Sequence, residues 1–152
     1  MPQSSSPCAT QDERVTLFSL LLETNARLAR DLAQQLEEHC QMPLAFFEVL
    51  MELRREPSGR LKMNQVADAI VHSTGGTTRL IDRMVDANLV ERQLCPSDRR
   101  AVHVAITDEG QARLDDALRV HLTYLDGTLS GRLDCEERTT LAHLLAKLND
   151  AR

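Results

Sequence analysis

The stretch from Leu89 to Gly110 limits the possible folds more than any other part of the chain. Val90 and Arg92 alternate with Glu91 and Gln93, and Val102, Val104 and Ile106 fall two apart, the period of strands with one buried face. Between these limbs lies Cys95-Pro96-Ser97-Asp98-Arg99-Arg100, a basic, turn-forming loop. The pattern predicts a β-hairpin tipped with two arginines. A guanidinium fits a narrow minor groove and its planar fork binds phosphate oxygens in pairs, so such a ribbon has a use on duplex DNA. A solvated charged turn accounts for the same residues.

Two helices are expected just upstream. Val66, Ala67 and Ile70 form the apolar stripe of a short helix over Met63–Ile70. Ser73 to Ala87 then reads as an amphipathic helix with Leu80, Ile81, Met84 and Val85 on one side and Arg79, Asp82, Arg83 and Asp86 on the other. Ser73 is the expected N-cap, and the glycines after it leave backbone N–H groups open to a phosphate. Two short helices, a tight connection and a hairpin make a winged helix-turn-helix, in which the second helix enters the major groove and the hairpin reaches the flank.

Several strings, in order, resemble the MarR family of bacterial transcriptional regulators: Pro43-Leu44-Ala45-Phe46-Phe47-Glu48-Val49-Leu50, Thr78-Arg79-Leu80-Ile81-Asp82-Arg83, Leu89-Val90-Glu91-Arg92, Pro96-Ser97-Asp98-Arg99-Arg100 and Ile106-Thr107-Asp108-Glu109-Gly110. The layout spans residues 15 to 149. The resemblance implies a homodimer that binds a pseudo-palindromic operator, commonly as a repressor, and answers to a small phenolic or anionic ligand or to an oxidant. It implies that Asp98 orients Arg100 for the minor groove while Arg99 contacts phosphate. Gly75-Gly76 departs from the family pattern, which carries side chains there, and puts in doubt how many bases the helix reads directly.

The remaining chain is expected to be helical. A long helix over Asp12–Cys40 carries Leu17, Leu21, Leu28, Leu32 and Leu36; Pro43 starts the next, to Arg55; and Glu56-Pro57-Ser58-Gly59 breaks it. Thr107 caps a helix with Asp108 and Glu109 in its first turn and Leu114, Leu118, Leu122, Leu125 and Leu129 along it. Asp134-Cys135-Glu136-Glu137 reads as a capping box that starts a final helix with Leu141, Leu144, Leu145 and Leu148. The expected fold class is therefore mainly α, a winged helix-turn-helix with a small β-hairpin plus a helical dimerisation region. Residues 1–11 are expected to be a disordered tail and 12–152 a single domain, with 12–42 and 108–149 as the dimerisation region and 43–107 as the DNA-binding lobe. Leucine-rich terminal helices around so small a winged unit need a partner surface, and a second copy is the simplest; a monomer packing them on itself is the alternative.

Composition sets further bounds. The 152 residues carry a formal charge of −5, which opposes phosphate binding taken as a sum. From Arg60 to Ile106, however, seven Lys or Arg face five acids, a net of +2 that leaves −7 for the rest, so the basic excess lies in the winged segment. Three Phe, one Tyr and no Trp disfavour base stacking and hence single strands or RNA. The N-terminus lacks a signal-peptide pattern and no apolar run is long enough to cross a bilayer, which predicts a cytoplasmic protein and no membrane partner. Cys8, Cys40, Cys95 and Cys135 lie far apart, without disulfide or zinc spacing. Glu37-Glu38-His39-Cys40 with His121 is a weak zinc pattern. No phosphate loop or nucleophile elbow appears, so neither an enzyme nor a cofactor is expected.

The candidate DNA contacts are Ser73, Thr74, Thr77, Thr78, Arg79 and Arg83 on the recognition helix and Asp98, Arg99 and Arg100 on the wing. Asp82 is placed to pair with Arg79 or Arg83 within the helix. A ligand crevice between the dimer helices and the winged part is expected to involve Leu21, Arg27, His39, Phe46, Phe47 and Arg54. The competing function is a protein-interaction module with a degenerate winged helix that does not bind DNA.

Overall fold

The computed structural model of the protein describes residues 12–70, 76–95 and 98–150. Helix α1 (Glu13–Cys40) starts where Asp12 accepts the Arg14 backbone N–H and ends at Gln41, whose left-handed backbone (φ 51°) turns the chain into α2 (Leu44–Arg55). Pro43 is the residue before α2 rather than its first, one step from expectation, and α2 buries Phe46, Phe47, Val49, Leu50 and Leu53. After the expected break comes a strand the pattern did not announce, β1 (Arg60–Lys62). Its three residues are too short to show a period. They are a strand because Arg60, Leu61 and Lys62 pair antiparallel with Ala105, Val104 and His103.

The helix pair follows: α3 (Met63–Ala69) buries Val66, and α4 (Thr77–Asp86) buries Leu80, Ile81 and Met84. The expected hydroxyl cap at Ser73 is corrected, because α4 begins at Thr77 with Gly76 as its cap. Gly76 has φ 86°, a backbone conformation that glycine reaches without strain. At the other end Asn88, also left-handed at φ 56°, closes α4 with bonds from its own N–H to Val85 O (2.8 Å) and from Leu89 N–H to Met84 O (2.9 Å). This double bond pattern satisfies the last carbonyls of a helix.

The hairpin comprises β2 (Val90–Cys95) and β3 (Asp98–Ile106), with β3 at the centre of a three-stranded sheet ordered β1-β3-β2. Val90 and Val104 are fully buried, while Leu94 near the tip is 69% exposed, so the hairpin is anchored at its base and projects beyond the core. Helix α5 (Asp108–Leu125) follows β3 after one residue, Thr107, whose hydroxyl accepts Gly110 N–H (2.9 Å) and donates to Asn88 O (2.7 Å). A π-helical turn, Asp126–Ser130, extends α5, and the Asp134/Glu137 capping box starts α6 (Cys135–Asn149), as expected.

One apolar core joins these elements: Leu36 of α1, the α2 residues, Val66, Ile70, α4, Leu89, Val90, Val104, Leu114 and Ala117. Polar ties link the outer helices to it. Arg113 Nη2 donates to Cys40 O (2.9 Å), and Arg54 pairs with Asp115 (2.5 Å) and donates to Gln111 O (3.2 Å). By contrast, no residue of α6 is buried, and Phe18, Leu122 and Leu148 are about three-fifths exposed. Among the described residues, no helix is long and apolar enough to cross a membrane.

Candidate nucleic-acid interface

The buried positions of α4 force the rest of the helix outward. With Leu80, Ile81 and Met84 inside, Thr78, Arg79, Arg83 and Asp86 are exposed and Thr77 and Asp82 are half-buried. Arg79 makes no ion pair among the described residues, which leaves its guanidinium available to a phosphate or a guanine edge. Arg83 is placed differently: its guanidinium sits 5.2 Å from the centre of the Phe46 ring, a cation–π contact that ties the end of α4 back to α2. Asp82 pairs with neither helical arginine. It accepts from Arg92 Nη1 of β2 at 2.6 Å, because Arg92 lies two residues beyond buried Val90 and so shares its face of the strand.

Ser73 and Thr74 lie outside the described residues. Asp98, Arg99 and Arg100 open β3, with Asp98 opposite Cys95 across an irregularity in the ladder; their backbone is described and their side chains are not. Arg60 and Lys62 of edge strand β1 are exposed; their register with β3 puts them on the face of the sheet opposite Val104 and Arg92.

The expected ligand residues do not share one cavity. Phe47 lines a crevice of about 360 Å³ formed by Ala29 and Leu32 of α1, Leu44, Phe47 and Met51 of α2, and His121 of α5, with Asn25, Glu48, Glu52 and Arg55 at its polar parts. Phe46 is buried under Arg83. His39 lines a separate polar groove with Cys40, Arg113 and Arg119. Arg54 is engaged by Asp115, Arg27 pairs with Asp31 (3.6 Å), and Leu21 is a half-buried position earlier on α1. His121 is the residue missed for this crevice: its ring meets Phe47 edge-on, centroids 5.3 Å apart, and its Nδ1 is buried without a hydrogen-bond partner among the described residues. Burial pushes the imidazole below its ordinary pKa. His121 and Cys40 therefore face different cavities, and no cluster of three metal-ligating side chains occurs among the described residues.

A helix pair followed by a projecting hairpin, framed by long terminal helices, defines a winged helix-turn-helix protein. The family model described as MarR family matches residues 41–101, which run from the end of α1 into the hairpin. The chain is similar to the HTH-type transcriptional repressor MdtR of Bacillus subtilis (strain 168), 27% identical over 125 residues that cover 82% of this chain and 78% of MdtR. Its structure is similar to that of AbsC, a MarR family transcriptional regulator from Streptomyces coelicolor, with a TM-score of 0.78 and 26% identity, covering 95% of this chain and 97% of AbsC. It is also similar to a mutant of MarR from E. coli complexed with operator DNA, with a TM-score of 0.75 and 28% identity, covering 90% of this chain and 95% of that one. The matched family model and both of these structures are of the MarR type, and the proteins named here are transcriptional regulators or repressors.

Proposed function

We propose that this protein is a sequence-specific regulator of transcription that binds double-stranded DNA in the cytoplasm, as a homodimeric repressor of a pseudo-palindromic operator. The observation that carries this reading is the placement of the exposed Thr78–Arg79 face of α4 beside a hairpin that leaves the core and carries Arg99 and Arg100. A helix of this kind fits the major groove, and an arginine-tipped ribbon one element away reaches the adjoining backbone or minor groove. Ser73, Thr74, Thr77 and Arg83 complete the proposed helix contacts, and Asp98 orients the wing. MdtR, a relative of this chain, is named as a repressor, and the E. coli MarR mutant is held on operator DNA.

The apolar surface left on α1, α5 and α6 supports the dimer. Val15, Phe18 and Leu22 lie on one side of α1, and Leu141, Leu144, Leu145 and Leu148 along α6, all exposed in the single chain. Full burial of one such side chain is worth about 1.5–3 kcal/mol, so an interface that covers several outweighs the cost of association. A two-fold dimer presents two α4 helices to half-sites one helical turn apart, about 34–36 Å.

The crevice between α1, α2 and α5 is the proposed effector site. Its volume suits one small ring compound, apolar against Leu32, Phe47 and Met51, with a phenolic or anionic group near His121. A ligand there separates α2 from α5 and so moves the helix pair relative to the dimer helices.

Binding to the duplex upstream of the protein's own gene, followed by fluorescence anisotropy across a salt series, tests the reading. Each phosphate contact contributes about 0.9 to the log–log salt slope. Arg100→Ala should flatten the slope while sequence preference is kept. Absence of binding by the native chain at low salt would overturn the proposal in favour of an interaction module.

A further inference from the structure

We infer that Asp82 is a positioning residue for DNA binding, a carboxylate that sets the angle between recognition helix and wing by holding Arg92. The inference rests on the DNA-binding reading above and goes beyond it, because it gives an acidic side chain on the DNA-facing side of α4 a favourable role.

The argument begins at the base of the hairpin. Val90, Arg92 and Leu94 alternate onto the same face of β2; the first is fully buried, the last 69% exposed. Arg92 stands at the boundary, where the apolar core that fixes the hairpin against α4 gives out. There its Nη1 meets Asp82 Oδ1 at 2.6 Å, a separation of ten positions along the chain bridged by an ion pair. Among the described residues the side chains of Gln93 and Glu91, on the opposite face, bond to each other (2.7 Å) and not to α4. Among the described residues the Asp82–Arg92 pair is thus the outermost side-chain bond between α4 and β2, and the strand beyond it projects.

Both partners are partly exposed, 49% for Asp82 and 36% for Arg92 at the side chain. An ion pair in that setting adds little to folding. Its value lies in the bound state, where α4 and the hairpin must meet one duplex together: a hairpin already held at its working angle loses less freedom on binding. A bare carboxylate at this position would repel phosphate, and Arg92 neutralises it in place. The same pair also bars Arg92 from acting as an independent phosphate contact.

That exclusion makes the inference testable by sign. If Arg92 were merely a DNA contact restrained by Asp82, then Asp82→Asn would release it and tighten binding. If the pair positions the wing, Asp82→Asn weakens binding roughly tenfold, within the coupling range of contacting pairs, while the salt slope stays that of the native chain. The experiment measures binding of the full chain to the duplex upstream of its own gene. It compares the native protein, Asp82→Asn, Arg92→Gln, and the exchange Asp82→Arg with Arg92→Asp. Thermal midpoints run alongside should stay close to native, as expected for a surface pair. Weaker binding by both single variants, with the exchange recovering more than either, supports the inference. Unchanged or tighter binding by Asp82→Asn overturns it, as does an exchange that binds no better than Arg92→Gln. Failure of the native chain to bind any duplex removes the DNA-binding reading itself, and this inference with it. Amide exchange of residues 92–95 supplies a readout without DNA: faster exchange in Asp82→Asn is expected, and equal rates count against a held wing.

Discussion

Replacing Gly110 by alanine sets two physical effects against each other. Gly110 lies in the first turn of α5, where helix propensity alone makes alanine better than glycine by about 1 kcal/mol. The packing opposes this. A Cβ at position 110 would stand 2.0 Å from the Leu89 carbonyl oxygen and 3.0 Å from Ile106 Cγ1. A backbone oxygen cannot rotate aside, so helix and strand must separate by more than an ångström. The same oxygen accepts Thr107 N–H at 3.1 Å, and the separation strains that bond, worth about 1 kcal/mol. Overpacking of this kind costs about 1–3 kcal/mol. With the propensity gain subtracted, Gly110→Ala should destabilise the fold by about 2 kcal/mol. For a chain of this size that lowers the thermal midpoint by about 4–8 °C. Calorimetry at one fixed protein concentration is the assay, since association also moves the midpoint. A midpoint equal to or above that of the native chain would refute the close approach of α5 to Leu89.

Three further outcomes are expected. Leu144→Asp together with Leu148→Asp should convert the proposed dimer to monomer in light scattering, because both leucines lie on the exposed apolar side of α6; an unchanged mass would exclude α6 from the proposed interface. Burial depresses the His121 pKa, so its contribution to stability is complete above about 6.5, the unfolded value, and is lost as pH falls through the folded one. Urea midpoints of the native chain should therefore fall relative to those of His121→Phe between about pH 7 and pH 5, and parallel curves would contradict this. Burial also pushes the Cys40 thiol up, and its Sγ donates to Leu36 O, whereas Cys135 is exposed. In a chain carrying Cys8→Ser and Cys95→Ser, an aromatic disulfide reagent at neutral pH should titrate one thiol quickly and one slowly, with Cys135→Ser removing the fast phase; a fast phase that survives Cys135→Ser would contradict this assignment.

The parts of the fold legible in the sequence are those that local chemistry dictates. Alternating Val102, Val104 and Ile106 announced β3, Thr107 and Asp134 announced the starts of α5 and α6, and the leucine spacing announced the helices. What escaped depends on the tertiary arrangement. Strand β1 exists only through its register with β3. The cap of α4 falls on Gly76 because the chain there needs a positive φ, which outweighs the hydroxyl of Ser73 as a signal. Asp82 has suitable arginines three residues before it and one after, yet its partner comes from another element. The site shows the same division. Thr78 and Arg79 followed from amphipathicity, whereas the crevice draws its lining from four helices, and nothing local links His121 to Phe47.

The junction of β3 and α5 has one residue of slack: Ile106 ends the strand, Thr107 caps, and Asp108 is already helical. Since an α-helix turns about 100° per residue, chain length at this point acts as an angular setting. One inserted residue would rotate the buried face of α5, Leu114 and Ala117, out of the core, or else swing the hairpin round relative to the helices proposed to pair two copies. Change at the hairpin tip carries no such penalty, because nothing downstream is phased to it. The chain is therefore expected to vary in length freely at its wing tip and hardly at all between Ile106 and Asp108, so that in the proposed dimer the spacing of the two wings would be fixed by a residue count.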